Sequence, residues 1–124
     1  MLMDIPRVTL DEFEIVPTLT NDCLVLQLSG TGDVVAVAPL RDCLQRVGNK
    51  IRAKQLFTVE VDIRHLVLLN SSCLKQFASF LLELSTTKTP CSVCFVVDAK
   101  LAWQSRSLFA LERLAGDIVC VASR

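Results

Sequence analysis

The chain contains no tyrosine, one tryptophan and a single histidine. So few rings offer no stacking platform for single-stranded nucleic acid. One imidazole excludes a multi-histidine metal site and leaves at most one histidine for acid–base work. An excess of either charge is also missing: 13 Lys and Arg balance 13 Asp and Glu. No positive field therefore draws the chain to nucleic acid or to an anionic membrane. No apolar run approaches the roughly 20 residues of a spanning helix, so no membrane span is expected. The start, Met1-Leu2-Met3-Asp4-Ile5-Pro6, has neither the basic region nor the apolar segment of a secretion signal, and cytoplasm is the expected compartment. Glycine is scarce, and its one local cluster, Gly30-Thr31-Gly32, lacks both the G-K-[ST] end of a phosphate loop and the dinucleotide fingerprint. It reads as a turn, and no cofactor is expected.

Cysteine, by contrast, is present at six positions. Cys23, Cys91, Cys94 and Cys120 fall in strand-like runs, Cys43 in a helical run, and Cys73 near the start of another. Cys91-Ser92-Val93-Cys94 has C-x-x-C spacing, but on a strand residues i and i+3 point to opposite faces. The expectation is buried, reduced thiols serving as small apolar side chains, with no metal site.

The richest stretch runs from Val59 to Leu74. Val59, Val61 and Ile63 alternate with Glu60, Asp62 and Arg64, the period of a strand with one buried face. A short apolar connection then leads into Asn70-Ser71-Ser72 and an amphipathic helix. Two hydroxyls at a helix mouth can cap it, meet an anion or accept a phosphate; a serine is expected to be the cap. On the helix, Leu74, Phe77, Ala78, Leu81 and Leu82 line the expected core face, with Phe80 and Leu84 beyond it.

Elsewhere, Phe13 and Ile15 ahead of Pro17 suggest an edge strand, and Asn21-Asp22 a turn into a strand over 23–28. Asp33 is placed to cap a helix whose stripe is Val37, Leu40, Cys43, Leu44, Val47 and Ile51, with Gly48 a point where it ends or loosens. Strands over 57–64, 92–97 and 118–121 and a helix over 102–114 complete the pattern, the helix carrying Leu108, Leu111 and Leu114. Trp103 and Phe109 fall off its expected core face, where they are either extra core or a partner patch. The order predicts one α/β domain over 1–124, with 1–12 as an N-terminal extension. Its sheet is mixed, the first pair antiparallel and the rest parallel, and its helices lie chiefly on one face.

Enzyme chemistry finds little support. Ser71 and His65 are separated by one connection, without a G-x-S-x-G elbow. Glu60 and Asp62 share a strand face with Arg64, which reads as a solvated charge stripe rather than a cleft-flanking carboxylate pair.

Three segments, in order, resemble the STAS domains, the fold of bacterial anti-sigma factor antagonists. Leu28-Ser29-Gly30-Thr31-Gly32-Asp33 with Ala38-Pro39-Leu40 is similar to that family's "G-x-x-D … A-P-x-L", Val59-Glu60-Val61-Asp62-Ile63 to its "V-V-L-D-L" strand, and Leu69-Asn70-Ser71-Ser72-Cys73-Leu74 to its "I-D-S-S-G-L" helix start. The resemblance implies a STAS-like mixed sheet and a non-enzymatic signalling module. Its cytoplasmic partner would be an anti-sigma factor kinase, met through Asn70, Ser71, Ser72, Cys73, Leu74 and Lys75. It further implies phosphorylation at Ser71, with Ser72 as second choice, and a role for Asp62 in shaping the switch loop. Asn70 stands where the family has Asp, and Cys73 where it has Gly. The alternative is a STAS-like structural subunit of a larger complex, such as a lipid-transport ABC or stressosome-like assembly, without phosphorylation. A homodimer is compatible with either, although no specific pattern calls for one.

Overall fold

A computed structural model describes residues 5–124; Met1 to Asp4, on which most of the leader reading rests, lie outside them. Six strands form one sheet in sequential order: β1 (Val8–Thr9), β2 (Phe13–Thr20), β3 (Cys23–Gly32), β4 (Thr58–Leu69), β5 (Ser92–Val97) and β6 (Val119–Ser123). The first three are antiparallel neighbours and β3 to β6 run parallel. Helices α1 (Val37–Arg52), α2 (Ser71–Thr86) and α3 (Ala102–Ala115) make the crossovers. Right-handed crossovers between sequential neighbours put every helix on the same face, and α2 packs between α1 and α3. This is the mixed, one-sided α/β sheet that the sequence predicts.

Local chemistry explains the elements. Asn21 and Asp22 both have positive φ, at 50° and 65°, the backbone of a two-residue hairpin turn whose twist suits its strands. Leu24, Leu26, Leu28, Val59, Val61, Ile63, Val93, Phe95 and Val97 fill the helix side of the sheet. Phe77 of α2 meets Phe95 edge-on at 5.5 Å. No helix of the described residues is long and apolar enough to cross a membrane.

Several expectations need correction. Residues 5–12 do not stand apart: Ile5 is buried and Val8–Thr9 is a strand. Gly30-Thr31-Gly32 is not a turn but the bulged end of β3, still paired with β4 across register shifts. Likewise the stretch from His65 to Leu69 is strand, not connection. Gly48 neither ends nor loosens α1, because the missing side chain leaves room for the Arg52 guanidinium, which pairs with Glu83 on α2. Wedged between two helices and the sheet, α2 buries a wider arc than a single face. Phe80 and Leu84 are core, whereas Leu82 is exposed. On α3, Ala115 rather than Leu114 is buried; Trp103 packs partly against the core and Phe109 is exposed beside Arg113.

The cysteines divide. Cys43 and Cys73 are buried and free, and Cys23 and Cys91 are half-buried and free. Cys94 and Cys120, expected to be reduced and buried, are instead joined by a disulfide across β5 and β6, with Cys120 exposed. Strand pairing that periodicity alone does not reveal brings them side by side.

Candidate functional site

Where β4 ends, Asn70 turns the chain into α2. Its Oδ1 accepts from the Cys73 N–H at 2.8 Å, so Asn70, not a serine, caps the helix. Its own N–H donates to the Gly32 carbonyl at 2.8 Å, tying the mouth of α2 to the end of β3. Its Nδ2 reaches Asp33 Oδ1 at 3.4 Å, while that oxygen also accepts from the Val34 N–H. An aspartate at 70 would set a second carboxylate against Asp33. Asparagine supplies the same capping oxygen and replaces that repulsion with a donor.

Cys73 is fully buried, and its Sγ–H donates to the Asp33 carbonyl at 3.5 Å. Burial pushes its thiol above the ordinary range, with the Asp33 charge adding to the effect. A glycine here would leave that space empty and that carbonyl without the thiol. Expected to meet a partner, Cys73 instead faces inward and fastens the 3-10 turn Val34–Ala36 to α2.

Ser71 and Ser72 are therefore the first two helical residues, both exposed, and their hydroxyls have no hydrogen-bond partner among the described residues. The N–H groups of this first turn point out of the helix, where its dipole is positive. Lys75 lies one turn beyond Ser71, also exposed, and Leu74 is half-buried. Four exposed apolar residues lie on the two segments that lead into this mouth: Val34, 73% exposed, Val35, 71%, Val67, 70%, and Leu68, 45%. The first two follow Asp33, and the last two precede Asn70 on β4, with Leu68 opposite Thr31. Sequence reasoning missed that these four residues are exposed. Its one signal was that Val34 and Val35 fall outside the α1 stripe.

The other candidates lie apart from this mouth. His65 is exposed on β4 opposite Ser29, and the rest of that strand, roughly 15 Å of extended chain, separates it from Ser71. They form no catalytic pair. Glu60 carries the Arg124 guanidinium at 3.2 and 3.4 Å. Asp62 is buried rather than solvated, held by Arg64 through Nε at 3.0 Å, Nη2 at 2.8 Å and its backbone N–H at 3.1 Å. Its hydrogen-bond partner is Arg64. Among the described residues no three His, Cys, Asp or Glu side chains cluster as a metal site would require.

The fork from Arg64 holds the Asp62 carboxyl below the usual carboxylate range, outweighing the opposing effect of burial. Because the folded-state pKa is the lower one, the stabilisation is complete above the unfolded value, about 3.9. It is lost as pH falls from there through the folded value. Urea midpoints recorded from pH 6 down to pH 2.5 should drop over that window, and Asp62→Asn should flatten that part of the drop. An unchanged profile in the variant would show that the pair has no part in acid stability.

No protein-family model and no curated protein sequence matches the chain. Solved structures do. An anti-sigma factor antagonist from Mycobacterium paratuberculosis superposes with a TM-score of 0.66 at 18% identity, over 89% of this chain and 86% of that one. The phosphorylated form of the Bacillus cell fate determinant SpoIIAA gives 0.57 at 19%, over 89% and 90%. The unphosphorylated form of the anti-sigma factor antagonist SpoIIAA gives 0.55 at 17%, over 84% and 98%. Sequential strand order, three helices on one face and an α2 that starts directly from the end of β4 therefore constitute, in this chain, the STAS-like fold of the anti-sigma factor antagonists.

Proposed function

We propose that the chain is a non-enzymatic regulatory module that binds a cytoplasmic protein partner through the mouth of α2, in the manner of an anti-sigma factor antagonist. One observation carries this reading: two exposed serine hydroxyls, without a hydrogen-bond partner among the described residues, at the start of a helix whose entering segments carry the exposed Val34, Val35, Val67 and Leu68. Exposed apolar side chains next to polar groups are a mark of an interaction surface. Asn70, Ser71, Ser72, Leu74 and Lys75 complete it, with Cys73 behind them.

Ser71 is the proposed phosphorylation site, and an anti-sigma-type kinase the proposed partner. A phosphate there adds about −1.5 to −2 charges. The outward N–H groups and Lys75 would hold it, while the charge would no longer fit a partner surface made for a neutral hydroxyl. The same surface without modification is the second reading, a structural subunit. It is favoured by Asn70 and Cys73, both engaged in holding the loop together.

Affinity purification from the native cell tests both. Under the switch, a kinase copurifies, Ser71→Ala retains it, and Ser71→Asp lowers affinity by about tenfold or more, roughly 1.4 kcal/mol. Equal affinity of both variants for a stoichiometric complex would overturn the switch in favour of the subunit. Substitution of Val34 and Val67 by Ser should weaken binding under either reading, and binding unaffected by it would place recognition elsewhere.

A further inference from the structure

We propose that Cys94 and Cys120 form a reversible redox pair, a modification site on the helix-free face of the sheet whose co-reactant is a low-molecular-weight disulfide such as oxidised glutathione. The two residues are direct neighbours in the parallel β5–β6 ladder, and residues paired in this way point to one face. That face is the one carrying Glu60, the ladder partner of Cys94. The Cα atoms are 4.5 Å apart, within the range a disulfide spans without moving backbone, and the bond is closed.

Access separates this pair from the other thiols. Cys120 is exposed, and among the described residues β6 is the edge strand of the sheet, with no further strand paired beyond it. Cys43 and Cys73 are enclosed, and burial pushes the Cys43 thiol up to about 11. Burial also raises the half-buried Cys23 and Cys91. Cys91 precedes β5 and packs against the core. Only Cys120 combines an accessible sulfur with a partner already in reach.

The chemistry balances as two thiol–disulfide exchanges. In the oxidising direction, the Cys120 thiolate attacks oxidised glutathione, expelling one glutathione thiolate and leaving a mixed disulfide. Cys94 then displaces the second glutathione. One S–S bond has broken and one has formed, two electrons have passed from the protein sulfurs to glutathione, and the two thiol protons end on the two glutathione thiols. Reduction is the reverse, beginning with glutathione thiolate at the exposed Cys120 sulfur. Closing the bond joins residues 26 apart in sequence and encloses the whole of α3. A disulfide that the glutathione pool opens is also compatible with the cytoplasmic role proposed above.

The full-length protein tests this directly. It is equilibrated with millimolar oxidised or reduced glutathione, quenched in acid, denatured and tagged with a maleimide of known mass. Four tags are expected after oxidised glutathione and six after reduced, with a peptide linking Cys94 to Cys120 in the first sample. Cys94→Ser should trap glutathione on Cys120 instead. Six tags in both samples would show that the bond does not form. Four in both would make it a permanent structural bond, and a link between any other cysteines would assign the chemistry elsewhere. Each of these overturns the proposal.

Discussion

Gln104→Glu is expected to unfold most of the protein at neutral pH and to leave it measurably more stable in mild acid. Gln104 is fully buried at the start of α3. Its Nε2 donates to the carbonyls of Ile63, at 2.7 Å, and Leu66, at 3.1 Å, while its Oε1 accepts from the Asp98 N–H at 2.8 Å. The need for it lies in the sheet. The ladder between β4 and β5 ends at Asp62 opposite Val96, yet β4 continues to Leu69. Beyond that point the Ile63 and Leu66 carbonyls have no β5 to pair with, and one side-chain amide serves both.

A carboxylate in that place keeps the acceptor and loses the donor. Each buried carbonyl left unpaired costs about 1–3 kcal/mol, with charge repulsion added, against a total stability of about 5–15 kcal/mol for an ordinary domain. Burial among carbonyls also raises the pKa of the new glutamate above its unfolded value of about 4.3. Protonation restores one donor, so the variant's stability is greatest below that value and declines as pH rises through the folded one. Urea denaturation between pH 4 and pH 8 reads the effect, with Gln104→Leu as the uncharged control that should lack the pH dependence. A Glu variant as stable as the parent at pH 7 would mean that these carbonyls find other partners.

Gly30→Ala should be nearly as damaging, although it adds one carbon. Gly30 has φ +89°, and a Cβ built on it would lie 2.1 Å from the Glu12 carbonyl oxygen. That oxygen is backbone, and it accepts from the Thr31 N–H at 2.6 Å. Neither atom can step aside without dragging the β1–β2 segment off the end of β3. Left-handed backbone strain of about 1–3 kcal/mol adds to the clash, so a loss of roughly 2–4 kcal/mol is expected. Amides of residues 8–15 should lose most of their hydrogen-exchange protection. Gly48→Ala is the informative contrast. There the new carbon meets only the tip of Arg52, at 3.1 Å, and alanine gains about 1 kcal/mol of helix propensity, so the variant should be neutral or more stable. Equal losses at both glycines would mean that helix and bulge tolerate a side chain alike, contrary to this geometry.

The failed expectations share a cause with these predictions. Periodicity reports which residues face a core, and it placed the stripe of α1 and the Val59, Val61 and Ile63 face of β4 correctly because regular alternation matches a regular packing face. It misplaced the arc of α2, which two neighbouring helices widen, and took Asp62 for a solvated residue because a buried carboxylate paired with Arg64 has the same alternation as an exposed one. Capping was assigned to the serines because serine and asparagine are nearly equal in that role. The choice was made by the geometry of Asn70, whose backbone bond to Gly32 fixes where the chain turns.

By itself, then, the sequence determined the class of sheet, the order of its elements, the absence of a strong charge bias and the position of the helix mouth with its two serines. These follow from local chemistry: alternation, amphipathic spacing and turn residues act over a few neighbours. Tertiary structure alone decided which atoms far apart in the chain become partners. It tied Asn70 to Gly32 and Asp33, turned Cys73 inward against Asp33, sent Gln104 to the unpaired end of β4 and brought Cys94 to Cys120. Each of those contacts depends on strand register and helix docking, which the summed packing of the whole core selects and no single segment encodes.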